Sequence, residues 1–289
     1  MSLAIVHTRA QVGIQAPLVT VEVHLSNGLP TMNIVGLPEA AVKESKDRVR
    51  SAIMNSGFEF PAKKITINLA PADLPKEGGR YDLAIAIGIL AADDKVTETL
   101  LDQHEFIGEL ALSGEVRPIR GILSAAIQTQ YADKILILPV DNAEEASLCQ
   151  GAVQKSARTL LEVCAYLGGQ ASLDELENLE PEELITDHAD IVEVRGQAQA
   201  KRALEITAAG KHNLLFIGPP GTGKTMLASR LPGILPAMSE QEALESAVIY
   251  SISQHHSTWL KNWKQRPFRS PHHTASGISL VGGGCQIQK

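Results

Sequence analysis

Apolar and polar residues alternate through Leu18-Val-Thr-Val-Glu-Val-His-Leu25, and a period of two predicts a strand with one buried face. Lys64-Ile-Thr-Ile-Asn-Leu-Ala70 reads the same way, and the short run Met32–Val35 is β-compatible. Between them the pattern changes. Pro38 to Asn55 reads as a helix with Pro38 suited to its first turn and Gly57 ending it. Tyr81–Ala92 is a continuous apolar helix after Gly78-Gly79. Phe106–Leu112 and Lys134–Leu138 are predicted strands, with a helix from Ile122 to about Gln130 between them. Further on, Val194–Leu204 leads into a helix that stops near Gly210. His212-Asn-Leu-Leu-Phe-Ile217 is an apolar run with the length of a buried parallel strand, and Met226–Leu231 is helix-compatible up to Pro232. Strands and helices are mixed throughout, which predicts the α/β class.

The turn between the last strand and the last helix carries the most chemistry. Gly218-Pro219-Pro220-Gly221-Thr222-Gly223-Lys224-Thr225 is a complete G-x-x-x-x-G-K-T loop in a strand–loop–helix context. Glycines let the backbone approach phosphates with N–H groups turned inward, and the helix start adds partial positive charge. Lys224 is expected at the β/γ-phosphates of ATP, and the Thr225 hydroxyl on the Mg²⁺ that accompanies it. The helix just before this strand is expected to supply an adenine pocket from Gly196, Gln197 and Lys201; an ordinary amphipathic helix is the alternative. Gly78-Gly79 is followed by no loop lysine, so the upstream half has no nucleotide signature of its own.

Composition narrows the setting. Among 289 residues, 44% are hydrophobic and 4% aromatic, which predicts aliphatic cores and about two domains. No apolar run is long enough for a membrane span and no secretory signal is visible, so a cytoplasmic protein with no membrane partner is expected. Cys149, Cys164 and Cys285 have no CxxC spacing and read as free thiols. The net charge of −7 misleads, because residues 174–190 carry eight acids and no Lys or Arg. That Pro181-containing run reads as a solvated interdomain linker or short exposed helix, and the remainder is near neutral.

Several motifs together carry a family resemblance. Val194-x-Gly-Gln-x-x-Ala-Lys-Arg202, His212-Asn-Leu-Leu215, the phosphate loop and Arg266-Pro-Phe-Arg-Ser-Pro-His-His-Thr274 resemble the magnesium-chelatase-type branch of AAA+ ATPases. Val35-Gly-Leu-Pro38, Asn68–Asp73 and Gly78-Gly-Arg-Tyr-Asp82 narrow the likeness to the bacterial ComM/YifB family, over essentially residues 1–281. The resemblance implies a cytoplasmic ATPase that assembles into a ring, expected to be a hexamer, and drives DNA branch migration in natural transformation. Gly108-Glu-Leu-x-Leu-x-Gly-Glu-Val-x-Pro-Ile-x-Gly121 is also similar to the peptidase domain of Lon. Lon-type proteases pair a serine with a lysine. Here Tyr81 or Asp82 falls at the serine position and Leu123 or Ser124 at the lysine position, so protease chemistry is not expected. Ser113 and Ser124 read as turn and helix-surface residues. The expected organisation is a Lon-like domain of the ribosomal-S5-domain-2 type over 1–170, an acidic linker over 171–190, and an incomplete P-loop AAA+ module over 191–289.

Other features weigh against full motor activity within these 289 residues. No apolar strand ending in Asp-Glu follows Thr225, so the acid that orders Mg²⁺ and water, and the arginine finger, are expected to be missing. Gly282–Lys289 departs from the family pattern, which suggests a frameshift, an early stop or a fragment, and no complete catalytic set is expected. Trp259, Lys261, Trp263, Lys264, Arg266, Phe268 and Arg269 interleave rings with cations, as single-strand binders do; tryptophans buried against the ATPase core are the plainer reading. His272-His273 is a weak metal candidate. The rival functions are a true magnesium-chelatase subunit, an ATP-dependent protease and a nucleotide-binding fragment that does not hydrolyse.

Overall fold

A computed structural model of the chain describes residues 2–177, 189–253, 260–261, 263–271 and 275. It forms two compact units. The first takes residues 1–182 together with 244–263; the second takes 183–243 and 264–289.

The first unit runs β1 (Ser2–Arg9), β2 (Leu18–Ser26), β3 (Thr31–Val35), α1 (Ala40–Asn55), β4 (Lys64–Ala70), α2 (Asp82–Ala92), β5 (His104–Phe106), β6 (Glu109–Leu110), β7 (Val116–Arg117), α3 (Ile122–Tyr131), β8 (Ile135–Pro139), α4 (Ala143–Ala146), β9 (Gln154–Ala157), α5 (Leu160–Leu167) and β10 (Asp174–Glu175). Eight strands form one sheet in the order β10-β9-β8-β5-β1-β2-β4-β3. The β1–β2 and β2–β4 pairs are antiparallel, whereas β1–β5, β5–β8, β8–β9 and β3–β4 are parallel. β6 and β7 make a separate antiparallel pair.

Alternation decides which sheet face is covered. Val19, Val21, Val23 and Leu25 of β2 are buried, in step with Ile65, Ile67 and Leu69 of β4. Every residue of α2 is buried, which explains its unbroken apolar run. Gly88 sets how closely α2 approaches the sheet: a Cβ there would lie 2.7 Å from Val23 Cγ2. A second apolar cluster joins Ile122, Leu123 and Ala126 of α3 to Ile107, Leu136, Leu138 and Ala146.

The expected single strand Phe106–Leu112 is two strands in two sheets. Gly108, at φ 156°, breaks it, and a Cβ there would sit 2.6 Å from Val116 Cγ1. The acidic run is likewise not all linker: Asp174 and Glu175 pair with Ser156 and Lys155 as an edge strand. Residues 178–188 of that run lie outside the described residues. Ser124 is not a helix-surface residue; it is buried in the first turn of α3.

The second unit contains α6 (Ala198–Gly210), α7 (Lys224–Ala228), α8 (Leu231–Ile234) and the start of α9 (Glu240–Ser253). Its small core gathers Val194, Leu204 and Leu227, with Phe216, Leu231 and Ile234 half-buried against them. The apolar run 212–217 does not form a strand. A strand needs a hydrogen-bonded neighbour, and among the described residues of this unit none pairs with it. Leu215 and Ile217 are accordingly 79% and 87% exposed. Pro232 does not end the preceding helix either; it occupies the first turn of α8, where its missing N–H costs nothing. α9 opens on a reciprocal capping box, in which Glu242 N–H donates to Ser239 Oγ and Ser239 N–H donates to a Glu242 carboxylate oxygen, each at 3.2 Å.

Candidate nucleotide site

The phosphate loop follows Ile217 and turns at two glycines with left-handed backbone, Gly221 (φ 81°) and Gly223 (φ 82°). Non-glycine residues rarely adopt this conformation. A Cβ at Gly221 would meet nothing within 4 Å, so the loop faces open space at this turn. Gly218, Pro219, Pro220, Gly221, Thr222 and Thr225 are exposed. Lys224 starts α7 and folds its ammonium back over the loop, 2.8 Å from Gly218 O, 2.7 Å from Pro219 O and 3.4 Å from Thr222 Oγ1. Thr222 Oγ1 donates to Pro219 O at 3.0 Å, closing the turn. The loop therefore presents an ammonium, an adjacent hydroxyl at Thr225 and open backbone. That donor set suits a polyphosphate and its magnesium ion.

The expected base-pocket residues are placed unequally. Gly196 and Gln197 both have left-handed backbone, with φ 67° and 55°. This turn brings Gln197 to the loop, where its Nε2 donates to Thr222 O at 3.2 Å. Lys201 lies one turn along α6, its N–H bonded to Gln197 O, with no side-chain contact to the loop among the described hydrogen bonds. Glu193, unremarked in the sequence, anchors Arg230 behind α7 at 2.8 Å.

The Lon-like positions hold no Ser–Lys pair. Tyr81 is buried with its hydroxyl unpartnered, and burial pushes that phenol up to about 12. Asp82 is buried and bound by Arg48 Nε at 2.7 Å; burial still pushes its carboxyl up to about 6. Leu123 is fully buried, and Ser124 Oγ has no hydrogen-bond partner. The buried lysine of this region, Lys76, gives its ammonium to the carbonyls of Gly36 and Pro71.

Three residues of the aromatic–basic stretch, Trp263, Lys264 and Arg266, are engaged internally, whereas Lys261, Phe268 and Arg269 are exposed. Trp263 packs on the second apolar cluster of the first unit, not on the ATPase core. Arg266 holds Glu242 at 2.9 Å and Pro236 O at 2.8 Å. Lys264 lies 3.7 Å from Glu240. Phe268 is exposed, while Trp259, His272, His273 and Cys285 fall outside the described residues. Cys149 and Cys164 are free and buried, and burial pushes their thiols up to about 11 and about 12. Among the described residues no group of three or more His, Cys, Asp or Glu could hold a metal ion, and no helix is long and apolar enough to cross a membrane.

Two family models match the chain: "Subunit ChlI of Mg-chelatase" over residues 21–142, and "Magnesium chelatase, subunit ChlI" over residues 190–289. The chelatase description thus attaches to the upstream half as well as to the half with the phosphate loop. The competence protein ComM of Haemophilus influenzae is 55% identical over 288 residues, covering 98% of this chain and 56% of that protein. YifB of Escherichia coli is 56% identical over 284 residues, with the same coverage of each chain. An archaeal Lon protease from Archaeoglobus fulgidus is 36% identical over 93 residues, 32% of this chain and 13% of that protein. The chain spans about half the length of the ComM and YifB relatives. A shared sequence over nearly all of this chain, with a phosphate loop folded and open in its second unit, places it in the ComM/YifB family of magnesium-chelatase-type AAA+ proteins.

Proposed function

We propose that the second unit binds ATP with Mg²⁺ through Gly218–Thr225, and that the longer proteins of this family use this site to drive a ring-shaped motor on DNA. The observation that carries the reading is the loop itself: two left-handed glycines, an exposed backbone and the Lys224 ammonium held over it. Lys224, which now holds two loop carbonyls, would bind the β/γ-phosphate oxygens of the nucleotide. Thr225 would hold the magnesium ion through its hydroxyl, and Gln197 holds the turn before α6 against Thr222. Hydrolysis needs an acid that orders water and an arginine that stabilises the transition state. Neither is recognisable after Thr225, so turnover belongs in this proposal to the longer protein.

The first unit is proposed to be a Lon-like domain without protease chemistry. The Gly108–Gly121 motif supports the likeness, and the absence of a Ser–Lys pair at Tyr81/Asp82 and Leu123/Ser124 argues against proteolysis. The name of the Haemophilus influenzae relative supports a role in competence, and hence DNA as partner. ATP·Mg²⁺ is expected to protect the second unit of the wild-type chain from heat and protease, and Lys224→Ala is expected to lose that protection. Equal protection of both proteins would refute the site.

A further inference from the structure

The phosphate loop is gripped by the turn that leads into α6. Asp190 caps this turn, its carboxylate accepting the Val192 N–H at 2.9 Å, and the Val194 N–H closes it on Ile191 O at 3.1 Å. Val194 is buried in the same small core as Leu227 of α7. Glu193 meets the Arg230 guanidinium at 2.8 Å, and Arg230 also donates to Ser229 Oγ at 2.9 Å, so the pair ties the turn to the end of α7. Gly196 and Gln197 follow with left-handed backbone. A residue that caps a helix usually turns its side chain to that helix's own first N–H groups. Gln197 caps α6 without any such bond; its Nε2 donates to Thr222 O at 3.2 Å instead.

Thr222 lies between Gly221 and Gly223, the two left-handed glycines on which the loop turns. Its carbonyl shares a planar trans peptide with the Gly223 N–H, and the two point in opposite directions. A donor that grips the carbonyl from one side therefore aims the N–H to the other, and loops of this type hold anions through such N–H groups. We infer that Gln197 is a positioning residue for the phosphate loop, not a contact to the base, and that the Glu193–Arg230 pair is the brace that keeps it in place. The inference rests on the reading of Gly218–Thr225 as a nucleotide site. Gln197, committed to Thr222 O, acts on the phosphates through the loop, while the ion pair keeps the turn that carries it in register with α7.

These side chains can be changed without dismantling the unit. The Glu193 side chain is 54% exposed, and an ion pair so open to water adds little to folding. Gln197 is exposed as well, so it supports no core. Its left-handed backbone is one that glycine adopts freely. Gln197→Gly thus removes the amide and leaves the turn its conformation.

The test is binding of ATP·Mg²⁺ and of inorganic tripolyphosphate·Mg²⁺ to the full 289-residue chain, measured by calorimetry, with circular dichroism of the unliganded chain reporting that it stays folded. Gln197→Gly is expected to weaken both ligands by the same factor, on the order of fivefold, the usual effect of one hydrogen bond. Glu193→Arg and Arg230→Glu are each expected to weaken both ligands likewise, and the double exchange Glu193→Arg/Arg230→Glu to recover most of the loss. Weaker ATP with unchanged tripolyphosphate would put Gln197 on the base and overturn the inference. So would unchanged binding of both ligands, or a double exchange no better than the single ones. Lys224→Ala separates this inference from the reading beneath it. If wild type binds neither ligand, or Lys224→Ala binds both as tightly as wild type, the nucleotide site is refuted and the inference with it. If Lys224→Ala loses both ligands while Gln197→Gly binds normally, the positioning role alone is refuted. Should Gln197→Gly fail to fold, Gln197→Asn decides in its place, since asparagine tolerates the same backbone and is one methylene shorter.

Discussion

Arg9 and Glu105 form an ion pair inside the first unit, bidentate at 2.6 and 2.7 Å, with both side chains nearly devoid of solvent contact. A buried pair is stabilising only when its remaining donors and acceptors are met. Here they are: Arg9 also donates to Ala16 O and Gln128 O, and Thr129 Oγ1 donates to Glu105. The pair thereby pins β1 and β5 to the end of α3. Removing one partner strands the other, so Glu105→Ala is expected to lower unfolding stability by about 3–5 kcal/mol, measured by urea denaturation. The double replacement Arg9→Met/Glu105→Leu should cost clearly less than Glu105→Ala alone; a larger cost would mean the pair itself supplies net stability. The thiols make a second residue-scale case. With both raised by burial, little thiolate exists near neutrality. In a Cys285→Ser background, Cys149 and Cys164 are expected to resist a thiol reagent until denaturant is added, and prompt labelling of the native chain would contradict their placement.

At the scale of elements, the contact between α2 and the sheet turns on Gly88. Its Cβ position is already claimed by Val23 Cγ2 at 2.7 Å, and Val6 Cγ2 stands 3.6 Å away. Gly88→Val adds volume to a closed core and is expected to destabilise by about 1–3 kcal/mol, despite the poor helix propensity of glycine. An unchanged melting temperature would show that α2 can lift off the sheet freely. Elements such as α2, β2 and β4 were legible because a period or an unbroken apolar run is a local property. Others needed capping signals that periodicity does not carry. α5 begins at Thr159, whose Oγ1 accepts from Glu162 N–H at 3.2 Å, and α9 begins on the Ser239/Glu242 box; both are visible as a Thr or Ser followed three residues later by Glu. The run 212–217 failed as a strand for a reason no local pattern contains, since its apolar side chains have the right composition but the segment has no paired neighbour among the described residues. The phosphate loop was legible residue by residue, because its glycines and lysine are demanded by backbone conformation and charge. The Gln197–Thr222 contact was visible only as proximity to a helix start.

Across the whole molecule, the chain does not divide at one point. The acidic run after 174 is where composition changes, yet residues 244–263 return to the first unit and fill its second apolar cluster. Core one, between the sheet and α1, α2 and α5, owes nothing to that return; its members all lie before residue 174. Core two does: without Ala247, Val248 and Leu260, the apolar side chains of α3 and their neighbours lose one wall. A fragment of residues 1–182 is therefore expected to keep its sheet but to expose that wall. It should melt several degrees below the first unit of the full chain, in line with a loss of about 1–3 kcal/mol for a domain of this size, and bind a hydrophobic dye more strongly. Supplying residues 240–270 as a separate peptide should reverse both effects. If the fragment matches the full chain in melting temperature and dye binding, the downstream segment merely rests on the first unit, and core two is closed by other side chains.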